Sequence, residues 1–146
     1  MIELDNQTDL ALDLGKLEQI ADALSSKEVE LIITDDETMQ SLNSEHRGKE
    51  SVTDVLSFPL NAPFTEQSIF DIPLGSIIIA ASFVKETAKS FHHTEQDELS
   101  LLFIHGMLHL LGFDHETDDG EMRSREKELI EKFDLPKSLI VRTEEY

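Results

Sequence analysis

Apolar positions along the chain change period several times, and each change marks an element. Leu12, Leu14, Leu17, Ile20, Ala21 and Leu24 recur at helical spacing and predict a first helix over 14–24. Glu28-Val-Glu-Leu-Ile-Ile-Thr34 alternates and then turns wholly apolar, the pattern of a strand. Asp35 and Asp36 supply an N-cap for a second helix through Met39 and Leu42, ending near Arg47-Gly48. A second strand is expected over Val52–Phe58, stopped by Pro59, and a turn-rich loop with Pro63 and Pro73 follows. Leu74–Ala80 reads as a buried strand, and 81–91 as a helix with Phe83, Val84, Thr87, Ala88 and Phe91 inward. Thr94-Glu-Gln-Asp97 is a capping box that opens the next helix. A last helix, capped by Thr117 or Asp118, runs to about Phe133 with Met122, Leu129, Ile130 and Phe133 inward. Met1–Thr8 alternates weakly, as a short edge strand does, and residues 135–146 are expected to form a loosely held tail. The order β-α-β-α-β-β-α-α-α indicates an α+β fold, one domain over 1–146 with a small mixed β-sheet packed against helices.

Histidine spacing changes this picture from a fold to a site. His105 and His109 stand four apart inside the apolar run 101–111. On a helix both rings then share a face, with Cβ atoms about 5–6 Å apart. Both can reach one ion at Zn–N distances of about 2.0–2.1 Å. Gly112 falls where a left-handed cap ends a helix, so the chain can turn back and deliver His115 as a third ligand. Three imidazoles without a fourth protein ligand describe a metal centre with an open position, the catalytic kind. A water there has its pKa brought to about 7, which supplies a zinc-bound hydroxide at neutral pH. One zinc ion per chain is expected, although three histidines also accept nickel, iron or copper.

Composition narrows the partners. There is no cysteine, so neither a disulfide framework nor a thiolate metal site is available. Met1-Ile-Glu-Leu-Asp5 is acidic where a secretory leader is basic, and no apolar run approaches the roughly 20 residues that span a bilayer. A cytoplasmic protein without a membrane partner is expected. The chain has 31 acidic against 12 basic residues, a net charge of −19. Global charge therefore opposes a polyanionic partner, and only a local basic patch can answer it.

Plainer readings apply to the other polar residues. His46, His92 and His93 read as surface residues, and the acidic last helix as a solvated face. Arg47-Gly48-Lys49 by itself is an ordinary turn, and Lys85 and Lys89 are an exposed pair four apart. Asp114 fits an acceptor that orients an imidazole N–H or a turn residue equally well. Ser57 reads as structural, because no separate histidine base accompanies it.

The spacing His-x-x-x-His-x-x-Gly-x-x-His is zincin-like and matches the ligand spacing of metzincin proteases. Those enzymes carry a glutamate base directly after the first histidine, where this chain has Gly106. A positioned acid–base group contributes about 10²–10⁴-fold, so its absence argues against peptide hydrolysis. The longer string His105-Gly-Met-Leu-His-Leu-Leu-Gly-Phe-Asp-His115 closely resembles the signature of the YbeY family of bacterial rRNA-maturation endoribonucleases. Arg47-Gly-Lys49, Thr53-Asp-Val-Leu-Ser-Phe-Pro59 and Leu74-Gly75 extend the resemblance over most of the chain. It implies a metal-dependent endoribonuclease specific for single-stranded RNA, acting in 16S rRNA 3′-end maturation and ribosome quality control. It makes His105, His109 and His115 the zinc ligands and Arg47 the basic catalytic residue of the cleft. It implies an rRNA precursor and the small ribosomal subunit or its proteins as partners, and no DNA. Arg47, Lys49, Lys85 and Lys89 would gather at the cleft while the acidic helix faces away. One departure stands out, Ser76 where the family usually has an aspartate. The competing readings are a metallopeptidase that draws its base from elsewhere, such as Asp114, and a non-enzymatic ribosome-assembly factor with a structural zinc.

Overall fold

A computed structural model describes residues 2–47, 55–59, 73–113 and 119–135. The elements follow the expected order: β1 (Ile2–Asn6), α1 (Leu14–Leu24), β2 (Val29–Thr34), α2 (Asp36–Arg47), β3 (Val55–Pro59), β4 (Gly75–Ala80), α3 (Ala81–Ser90), α4 (Glu95–Leu110) and α5 (Glu121–Lys132). The strands form one sheet in the order β1-β2-β4-β3. β1, β2 and β4 run parallel, whereas β3 is an antiparallel edge, so the sheet is mixed as expected.

The strand alternation sorts side chains onto two faces. Ile2, Val29, Leu31, Ile33, Ile77 and Ile79 join the main core, together with α1 and α4. Leu56, Ile78 and Ala80 point the other way and pack with Met39 of α2, flanked by Ile32, Leu42, Phe58 and Phe83. Pro59 is the last residue of β3, where it pairs with Gly75. An edge strand tolerates a residue that has no N–H to donate.

α4 is the centre of the molecule. It contacts β3, β4, α1, α3 and α5, and twelve of its sixteen residues are buried. A helix enclosed on all sides has no polar stripe, which is why the run 101–111 is apolar almost throughout. Thr94 caps it, its side chain accepting from the Asp97 N–H at 3.0 Å. α5 begins later than the sequence implied: its N-cap is Gly120, in left-handed conformation, not Thr117 or Asp118. Thr117, Asp118 and the tail 136–146 lie outside the described residues.

Candidate metal centre

His105 and His109 occupy the last turn and a half of α4, and their side chains meet as the four-residue spacing requires. Their ring centroids are 4.6 Å apart, edge to face. The two Nε2 atoms face each other at 3.0 Å. Each ring is held by its other nitrogen. His109 Nδ1 donates to the Phe113 carbonyl at 3.1 Å. His105 Nδ1 donates to Glu126 Oε1, also at 3.1 Å.

Local backbone geometry accounts for the first of these bonds. α4 ends with the Gly112 N–H on the His109 carbonyl and the Phe113 N–H on the Leu108 carbonyl. Gly112 adopts φ +98°, which turns the chain so that Phe113 O comes back to the ring. A residue with a Cβ resists that conformation.

Counting protons shows what the pair can bind. A carbonyl oxygen accepts and cannot donate, so His109 carries its proton on Nδ1. An ionised Glu126 imposes the same choice on His105. Two neutral rings in these tautomers turn two lone pairs toward one point. Lone pairs 3.0 Å apart repel unless a cation lies between them. A proton satisfies that arrangement, and so does a metal ion, because two bonds of about 2.0–2.1 Å can span about 4 Å. Neutral imidazoles with their remote nitrogens engaged are the donor set a zinc ion takes.

His115, Asp114 and Lys49 lie outside the described residues, as does the side chain of Arg47, the last residue of α2. Among the described residues no group of three His, Cys, Asp or Glu side chains surrounds one point. Lys85 does not stand ready for a substrate: it pairs with Asp9 at 2.9 Å on the surface. This contact raises the lysine pKa and holds the Asp9 carboxyl below the usual range. Lys89 is exposed.

Gly106 has a packing reason beside the chemical one. A Cβ built there would lie 2.8 Å from Ile77 Cγ2, so α4 rests directly on β4 at this point. A glutamate in this position would strike the sheet. Ser57 pairs with Ile77 across β3 and β4. Ser76 points to the opposite face from Ile77 and donates to Glu30 Oε1 at 2.8 Å. It borders a cleft of about 250 Å³ lined also by Glu3, Glu28, Phe58 and Pro73. The departure at Ser76 therefore lies across the sheet from the histidine pair.

Two expectations are corrected. His93 is not a surface residue: its side chain is 1% exposed and donates through Nε2 to Glu98, itself 0% exposed, at 2.9 Å. The turn after α3, with His92 at φ 58°, folds the His93 ring inward and leaves His92 outside. Glu126 is not on a solvated face but is fully buried. Its signal was present in the sequence. Met122, Glu126, Leu129, Ile130 and Phe133 follow the spacing of one helical stripe, so Glu126 is the charged member of an apolar face.

An α+β chain whose central helix brings two imidazole nitrogens to one point is the class defined by the fold and the site. The chain belongs to the YbeY family: the family model described as Endoribonuclease YbeY matches residues 3–134. A Sulfurovum protein named Endoribonuclease YbeY is 65% identical over 144 residues, covering 99% of this chain and 98% of that one. The protein of the same name from Wolinella succinogenes is 57% identical over 145 residues, covering 99% of each. The solution structure of TM1509 from Thermotoga maritima superposes with a TM-score of 0.58 at 29% identity, covering 91% of this chain and 89% of the other.

Proposed function

We propose that this chain is a metal-dependent endoribonuclease that cuts single-stranded RNA in the 3′-end maturation of 16S rRNA and in ribosome quality control. The observation that carries the metal is the pair of Nε2 atoms 3.0 Å apart on rings whose other nitrogens already donate. RNA as the substrate is supported by the name shared among relatives that match nearly the whole chain. His105 and His109 hold one zinc ion, with His115 as the third ligand. When bound, zinc supplies a Lewis acid and lowers the pKa of a water to about 7. Arg47 binds the scissile phosphate, its planar fork matching two phosphoryl oxygens. The setting is the cytoplasm, with the small ribosomal subunit or its proteins presenting the RNA. In the described residues no helix is long and apolar enough to cross a membrane. The surface of a −19 chain repels RNA, so affinity for bare RNA is weak and falls with salt.

Incubating purified, metal-quantified protein with single-stranded RNA and, separately, with casein tests this reading. RNA cleavage that is lost in His109→Ala and, in the chelated wild type, restored by zinc is the expected result. Arg47→Ala should cut more slowly at low salt; equal activity removes Arg47 from the scheme. Cleavage of casein instead of RNA identifies a peptidase. Turnover of neither, with a melting temperature that collapses on chelation, assigns the zinc a structural role.

A further inference from the structure

We infer that Glu126 is a positioning residue for the metal centre, fixing the tautomer of His105 from a helix that supplies no ligand among the described residues. This inference rests on the metal reading above. His105 is 5% exposed and Glu126 is 0% exposed, so the bond between them is shut away from water. Burying a carboxylate costs several kcal/mol, and an apolar side chain of similar volume packs a helix without that penalty. Met122, Leu129 and Ile130 fill the rest of the same stripe with apolar groups. Packing α5 onto α4 therefore gives no reason for a carboxylate at that one place. The ring beside it does.

An imidazole can carry its single proton on either nitrogen, and only the form protonated on Nδ1 offers Nε2 to an ion. Oε1 lies 3.1 Å from Nδ1 and makes that form the favoured one. His109 receives the same service from a main-chain carbonyl four residues on, which no substitution of its side chain removes. His105 depends on a side chain 21 residues away, on another helix. The two ligands are thus oriented by different means, one by a side chain and the other by the main chain. Outer carboxylates of this kind raise ligand basicity, and their loss costs about 10–100-fold in metal affinity.

Two measurements decide the matter. In the chelated, full-length wild type, two-bond proton–nitrogen correlation spectra of the imidazoles should show His105 protonated at Nδ1. A His105 ring lacking that proton overturns the inference without reference to any variant. Zinc affinity, read by competition with a chromophoric chelator, should fall about 10–100-fold in Glu126→Ala. In the isosteric Glu126→Gln, the amide oxygen still accepts from Nδ1, so the tautomer should persist and the affinity loss be smaller. Affinities indistinguishable from wild type in both variants overturn the inference. A role in folding alone would move the melting temperature and leave the tautomer untouched. A wild type that binds no zinc overturns the metal reading instead, and the spectra still decide what Glu126 does to the ring.

Discussion

Gly112 carries two duties with one torsion angle. Its φ of +98° closes α4 and turns the Phe113 carbonyl onto His109. Nothing lies within 4 Å of a Cβ built there, so a Gly112→Ala change meets conformational strain and no clash. Left-handed backbone costs a residue with a Cβ about 1–2 kcal/mol. Urea unfolding of Gly112→Ala should show a loss of that size, and zinc titration a weaker site. Gly106→Ala has the opposite cause, collision with Ile77 on a well-formed helix. Overpacking of this kind costs about 1–3 kcal/mol, and the urea midpoint should fall accordingly. At this scale the histidine pair was legible because helical spacing is a rule about neighbours in sequence. The acceptors were not. Phe113 O is a main-chain atom with no residue signature, and Glu126 comes from another helix, so its meeting with His105 is a tertiary fact.

Among the elements, α4 was predicted from its cap and its apolar run, and it starts where Thr94 requires. Removing that cap in Thr94→Ala should lower stability by about 1 kcal/mol, seen as a drop in melting temperature with the histidines untouched. α2 begins on a charged cap: Asp35 accepts from the Thr38 N–H at 2.8 Å, and this bond lowers the Asp35 pKa. A depressed carboxylate pKa means that the ionised form favours the fold. That contribution is complete above the ordinary value of about 3.9 and disappears as pH falls through the lower folded value. Asp35→Asn should therefore be less stable than wild type near neutral pH. The gap should close in urea titrations run well below that value. Boundaries were less legible than elements. β3 takes in Pro59 as its last residue, and α5 starts at Glu121 behind Gly120, and neither fact follows from local pattern.

Across the whole molecule, charge opposes the fold, and the proposed zinc would favour it. A net charge of −19 repels itself in the folded state. Raising ionic strength from about 0.01 to 1 M shortens the screening length from about 30 to 3 Å. The melting temperature should rise over that range. Zinc bound only to the folded chain should add about 2.7 kcal/mol when free metal is about 100 times its Kd, and a chelator should reverse the gain. The α+β order was legible in full, because each strand and helix carries its own period. The strand order β1-β2-β4-β3 was not, since pairing between distant segments leaves no periodic trace.

The 21 residues between His105 and its acceptor also bear on how the protein is made. Chains emerge N-terminus first and fold by units as they appear. A nascent chain released as far as Leu110 has both imidazoles but no Glu126 to orient the first. The bond from His105 to Glu126 forms only after α5 has been translated and docked. The histidine pair of this endoribonuclease family member thus gains its last orienting partner late in the chain's own synthesis.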